Sequence, residues 1–119
     1  MILDADVTID ILRHRPETQT WVKHLPDRPK LSGAGDWEVL FGARNASEIR
    51  KVRTFLDLFP VAWPTEANAS TVADLVSHQL SDGIDVLDSL TAAIALRTCE
   101  PIATVNIKHF RVIPGVTPI

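Results

Sequence analysis

The sequence predicts an α/β fold, a three-layer α/β/α sandwich built on a central, mainly parallel sheet. Three observations carry this. Short apolar runs at Ile2-Leu3, Lys30-Leu31-Ser32, Pro60 to Pro64 and Pro101 to Val105 are separated by longer segments with helical spacing of apolar residues. Strands that alternate with helices are joined by right-handed crossovers, which place helices on both faces of a parallel sheet. The 119 residues, 45% hydrophobic and 23% charged, suffice for one core, so residues 1–119 are expected to form a single domain.

Ile2-Leu3 is too short for a helix and suits a buried strand, and Asp4-Ala5-Asp6 interrupts it where a helix cap is expected. Val7, Ile9, Ile11 and Leu12 continue into a helix that ends at Arg13-His14-Arg15-Pro16. Trp21, Val22 and Leu25 predict a second short helix over 17–24, and Leu25 to Pro29 a turn. Lys30 to Ser32 is the second strand. Ser32 or Asp36 then caps a helix carrying Glu38, Leu40, Phe41 and Ala43, whose start Gly33 and Gly35 weaken by roughly 1 kcal/mol each relative to alanine.

Ile49, Val52, Phe55, Leu56 and Phe59 predict an amphipathic surface helix over 46–59. Pro60 to Pro64 reads as a strand between breakers, and 65–80 as a helix with Val72, Leu75, Val76 and Leu80 inward, ended by Ser81-Asp82-Gly83. Leu90 to Leu96 is apolar on nearly every face, as in a buried helix. Pro101 to Val105 is a strand, and Val116 to Ile119 a final edge strand. There is no repeat, low-complexity tract or linker.

A net charge of −3 provides no overall basic field for nucleic acid, so a polyanion must be held by local patches and metal. The lone Cys99 has no disulfide partner, and no Cys/His spacing suits zinc. The first residues lack the basic head and apolar run of a signal peptide, and no stretch reaches the ~18 apolar residues of a membrane span. A soluble, cytoplasmic protein is expected.

In such sheets ligands collect at the carboxyl ends of strands where strand order reverses. Asp4 ends the first strand, Thr104 to Asn106 end a late one, and Glu38 and Asp88 lie on helices that can face the same crevice. Together Asp4, Glu38, Asp88 and Asn106 form an oxygen-only set suited to Mg²⁺ or Mn²⁺. Clustered carboxylates repel unless a cation sits among them or some take up protons. Each residue also has a plain structural reading: Asp4 and Asp6 as turn and cap, Asp88 as cap, Glu38 as a first-turn acid, Asn106 as a turn residue. The combination carries the functional reading. His14, His24, His78 and His109 lack ligand spacing and read as surface or capping residues. Arg13, Arg44 and Lys108 are candidate phosphate contacts.

The segments Ile2-Leu3-Asp4-Ala5-Asp6-Val7, Glu38-Val39-Leu40-Phe41-Gly42-Ala43-Arg44, Asp88-Ser89-Leu90-Thr91-Ala92-Ala93-Ile94-Ala95 and Thr104-Val105-Asn106-Ile107-Lys108-His109-Phe110, followed by Ile113-Pro114-Gly115, resemble a PIN domain. Nearly the whole chain is similar to the VapC-type ribonuclease toxins of bacterial and archaeal toxin–antitoxin pairs. The resemblance implies that Asp4, Glu38 and Asp88 are the acidic metal-site residues, with Asp6 and Thr104 supporting. Asn106 stands where the family often has a fourth acid, and its neutral oxygen implies a weaker second metal. Glycines at 33 and 35 replace the usual β-branched or hydroxyl residues.

The expected function is therefore a metal-dependent endoribonuclease, the toxin of a type II pair, forming a homodimer and meeting an RNA substrate and a cognate antitoxin. Asp4 and Asp88 would hold the ion, with Asn106 beside them, and Glu38 would ligate it or orient the attacking water. One alternative is a PIN-fold RNA- or partner-binding protein without catalysis. Another is a phospho-acceptor receiver module, whose acceptor would have to be Asp57, inside the periodic helix over 46–59.

Overall fold

The computed structural model describes residues 1–79 and 82–119. Strand β1 (Ile2–Leu3) is followed by α1 (Ala5–Leu12), α2 (Pro16–Lys23), β2 (Lys30–Ser32), α3 (Gly33–Phe41), α4 (Ala46–Leu56) and β3 (Val61–Ala62). Then come α5 (Asn68–Gln79), α6 (Val86–Thr98), β4 (Ile102–Ala103) and α7 (Ile107–Arg111). The four strands form one sheet in the order β3-β2-β1-β4, and every pairing is parallel. In register, Leu3 stands between Leu31 and Ala103.

Successive strand residues point to opposite faces, and that alternation divides the core in two. Ile2 and Ile102 face a cluster completed by Leu75 of α5, Ala92, Ile94 and Ala95 of α6, and Phe110 of α7. Leu3, Leu31 and Ala103 face the other, with Val7 and Ile11 of α1, Val39 of α3, and Val52 and Leu56 of α4. Helices therefore cover both faces of a parallel sheet, as expected. Full burial of a side chain such as Ile102 or Phe110, both 0% exposed, is worth about 1.5–3 kcal/mol.

Several boundaries differ from the sequence reading. Helix α4 stops at Leu56, three residues before Phe59, because the chain tightens: Leu58 N–H donates to Phe55 O and Phe59 N–H to Leu56 O, ahead of Pro60. Helix α5 starts at Asn68 rather than at Thr65. The buried Asn68 folds its Oδ1 back to accept from Thr65 N–H at 2.7 Å and sends Nδ2 to Ala93 O, tying this turn to α6. The expected inward Leu80 and the stop at Ser81 lie outside the described residues. The expected edge strand at Val116 to Ile119 is only a parallel bridge of Pro118 to Ile102, since proline has no N–H for a ladder. Its bonds come from the flanking residues: Ile102 N–H to Thr117 O, and Ile119 N–H to Ile102 O. Helix α7 is additional, five residues held by the buried Phe110.

Helix α3 begins directly at Gly33, capped by Ser32, so the two glycines do not delay it. A Cβ at Gly33 would stand 2.6 Å from the Trp63 ring and 2.8 Å from Pro64, and one at Gly35 would stand 3.3 Å from Ala5 N. Their absent side chains let α3 approach the segment that follows β3 and the start of α1. Asp36 lies within the helix and is not its cap.

Candidate functional site

Chain connections run from β1 outward to β2 and β3, then return to β4 on the other side of β1. The carboxyl ends of β1 and β4 therefore flank the place where strand order reverses. Asp4 follows β1 and is the N-cap of α1, its Oδ1 accepting from Ala5 N–H at 2.9 Å. Thr104 follows β4, and its Oγ1 lies 3.1 Å from Asp4 Oδ2 and 3.2 Å from Asp6 Oδ2. Asp6 also accepts from Val105 N–H at 3.0 Å, and Asn106 N–H donates to Thr104 Oγ1 at 2.9 Å. One buried hydroxyl thus joins both strand ends and holds both aspartates.

Two helices bring the remaining acids. Ser32 Oγ and Thr91 Oγ1 share a buried hydrogen bond of 2.9 Å, which fastens the start of α3 to the middle of α6. Glu38 projects from the second turn of α3, and Asp88 from the first turn of α6. The cap of α6 is Asp85, whose Oδ1 accepts from Asp88 N–H at 2.8 Å. The capping reading of Asp88 is thereby corrected, and its carboxylate instead meets His109 Nδ1 at 3.3 Å.

These groups line one cleft of about 160 Å³, formed by Asp4, Ala5, Asp6, Glu38, Gly83, Asp85, Asp88, Asn106 and His109. Five carboxylates meet there, with no lysine or arginine among the described residues of the wall. Burial, then the charge of Asp6, pushes Asp4 from its ordinary 3.8 up to about 7, against the downward pull of its hydrogen bonds from Ala5 and Thr104. Glu38 is raised by desolvation and then by Asp85, Asp88 and Asp6. Burial, then Asp85, raises Asp88, and His109 pulls it back.

The donor chemistry fits a hard divalent cation: five carboxylates and the Asn106 amide offer oxygen, and His109, engaged with Asp88, is the one group in the described wall that offsets their charge. Asn106 caps α7 by position but makes no side-chain cap bond, so its amide is uncommitted. Among the described residues no three His, Cys, Asp or Glu side chains already stand grouped to grip an ion. Glu38 is exposed and Asp88 half-buried, so their rotamers are the adjustable part of the shell.

The basic candidates separate. Arg13 lines a neighbouring groove of about 280 Å³ between α1, α3 and α4, which it shares with Glu38 and Lys51. Arg44 is held by Glu48, with Nη2 2.7 Å from Oε1, and Lys108 is exposed on α7; neither lines the acidic cleft. Asp85 and His109 were missed as site residues. The Asp85-x-x-Asp88 spacing is a capping signal that could have placed Asp85 at the helix start. His109 has no local signal, because only the docking of α7 brings it to Asp88. Asp57 is the C-cap of α4 and does not stand at the carboxyl end of a strand, which removes the receiver reading.

Comparison with known proteins agrees with the fold. The chain is 27% identical over 122 residues to Ribonuclease VapC19 of Mycobacterium tuberculosis, spanning 98% of this chain and 97% of that protein. Its fold is similar to a chain of VapBC2 from Rickettsia felis bound to a promoter DNA fragment, with TM-score 0.84, 18% identity, and coverage of 99% and 96%. It is also similar to a chain of a toxin–antitoxin complex from Klebsiella pneumoniae, with TM-score 0.79, 23% identity, and coverage of 98% and 94%. Residues 1–115 match the model of the PIN domain, and the chain belongs to that family.

Proposed function

We propose that this protein is a metal-dependent endoribonuclease, the toxin of a type II toxin–antitoxin pair. The observation that supports it most is the convergence of Asp4, Asp6, Glu38, Asp85 and Asp88 on one cleft at the switch point, three of them with raised pKa values. Similarity to Ribonuclease VapC19 over nearly the full length supports RNA as the substrate class.

In this reading Asp4, Asp88 and Asn106 hold Mg²⁺ or Mn²⁺, which when bound supplies charge neutralisation at the scissile phosphate and acidifies water. Glu38 joins the ligands or accepts a hydrogen bond from the attacking water, since its exposed carboxylate lines the same cleft. Thr104 and Val105 N–H keep Asp6, and through Thr104 also Asp4, from turning away. Asp85 adds negative charge, and His109 restrains the Asp88 carboxylate. Arg13, at the groove beside Glu38, is the phosphate contact best placed along a bound strand, whereas Arg44 and Lys108 lie outside the acidic cleft.

A cognate antitoxin and a homodimer complete the proposal, with the cytoplasm as the compartment. The resemblance of the fold to chains of toxin–antitoxin complexes supports the antitoxin. Trp37 and the 91% exposed Phe41, one turn apart on α3, support an assembled state. No helix of the described residues is long and apolar enough to cross a membrane.

The test is cleavage of an end-labelled panel of single-stranded and looped RNAs with Mg²⁺, with Mn²⁺ and with chelator. Cleavage should require metal and fall by about 10²-fold or more in Asp88→Asn with its fold retained. Metal-independent cleavage, or full activity in Asp88→Asn, rejects the assignment. Binding without cleavage assigns the chain to the non-catalytic PIN reading.

A further inference from the structure

Helix α3 carries a second acid, Asp36, two residues before Glu38 and so about 200° around the helix from it. Asp36 is 8% exposed, and its Oδ1 is the one buried side-chain oxygen or nitrogen among the described residues without a hydrogen-bond partner. Buried carboxylate oxygens are normally satisfied, so the orphan marks Asp36 as a carboxylate without an internal partner. Asp36 lines a cavity of about 290 Å³ with Arg53, Asp57, Phe59, Val61 and Trp63. Arg53 enters none of the ion pairs formed among the described residues, so it does not neutralise either carboxylate by contact. Two carboxylates and one guanidinium thus stand beside two aromatic rings; burial, then Asp57, raises the Asp36 pKa, and the Arg53 charge pulls it back.

We propose that this cavity is a binding site for an alkylguanidinium group. A guanidinium is planar and weakly hydrated, it can lie against the Trp63 ring, and its fork of N–H donors suits an unpartnered carboxylate. Its alkyl stem matches the apolar wall at Phe59 and Val61. An ammonium fits less well, because its compact charge is strongly hydrated and does not stack. Such a group reaches the cavity either as a free small molecule or as an arginine side chain of another protein.

The inference is independent of the nuclease reading, and its test uses neither RNA nor metal. Butylguanidinium is titrated into the intact protein, read by calorimetry and by tryptophan fluorescence compared with that of Trp63→Phe, with butylammonium and neutral butylurea as comparisons. One-site saturable binding is expected, at least about tenfold tighter for butylguanidinium than for butylurea. Asp36→Asn should weaken it by about tenfold or more, exposed Asp57→Asn by a smaller factor, and Arg53→Gln should strengthen it by removing a like charge. If Asp36→Asn does not fold, Asp57→Asn and Arg53→Gln carry the test through their opposite signs. An end-blocked arginine tripeptide that binds as tightly as butylguanidinium assigns the site to a partner's arginine, and a preference for the free compound assigns it to a small molecule. Absence of saturable binding up to about 10 mM overturns the site. Equal binding of butylurea, or undiminished binding in both aspartate variants, also overturns it.

Discussion

Asp4 is a helix cap and a candidate ligand at once, and the two roles make opposite demands on its charge. Capping and the Thr104 hydroxyl favour the carboxylate, while burial and Asp6 favour the acid, and the balance leaves it titrating near 7. With its folded pKa above its unfolded value, the stability that Asp4 contributes is fully present below about pH 4 and is lost as pH rises through about 7. In metal-free protein, Asp4→Asn should therefore raise stability at pH 8 by about 1–3 kcal/mol, since asparagine also caps well, with the gain shrinking toward pH 4. Paired thermal melts across that range check the sign, and a destabilised variant at pH 8 refutes it. The same ionisation couples to the proposed ion: apparent Mg²⁺ affinity should fall as pH drops below 7, because protons then compete for Asp4. Magnesium titrations at pH 6 and pH 8 read this directly.

Asp4, Glu38 and Asp88 were named from the sequence because each lies beside an apolar run in a segment that resembles the family. Asp85 and His109 were not, because one looks like an ordinary cap and the other lies on a five-residue helix too short for periodicity to reveal.

At the scale of elements, glycine is the informative residue. Propensity alone makes Gly33 and Gly35 faults at the head of α3, yet the close approach of Trp63, Pro64 and Ala5 leaves no room for a side chain. Gly33→Ala should destabilise by about 1–3 kcal/mol despite the better helix propensity of alanine, since a 2.6 Å contact forces the Trp63 ring or the helix to shift. Denaturant melts test this, and a stabilised variant would mean that the helix start is less tightly seated. The cap of α6 gives a second prediction. Asp85→Ala should cost about 0.5–2 kcal/mol through loss of its bond to Asp88 N–H, offset in part by relief of charge repulsion in the cleft. The offset makes the loss smaller at pH 8 than at pH 5, where more of the neighbouring acids carry protons. Helix interiors were readable from periodicity, but ends such as Leu56 and Asn68 were decided by local bonds that spacing does not encode.

For the whole molecule, the acidic cleft is a concentration of charge placed by topology. The sheet order β3-β2-β1-β4 opens a crevice between β1 and β4, and the helices packed on its two faces supply Glu38 from one side and Asp88 from the other. A ligand that binds only this assembled cleft must raise global stability. Saturating Mg²⁺ or Mn²⁺ at about 100 times its dissociation constant should add about 2.7 kcal/mol to unfolding in the native protein and much less in Asp88→Asn. A melt unmoved by either ion at any attainable concentration rejects the metal reading while leaving the fold untouched.

The alternation of short apolar runs with helical periods determined the α/β class, the parallel sheet and the two-faced core from the sequence alone, because a period of 2 or 3.6 is a local property of the chain. Resemblance in four ordered segments was enough to single out the acids. Only the tertiary structure decided that Thr104 joins two aspartates about a hundred residues away in the chain, that Arg44 answers to Glu48 rather than to the cleft, and that Asp36 is buried without a partner. Those outcomes depend on distances between residues remote in sequence, which packing sets and local pattern does not carry.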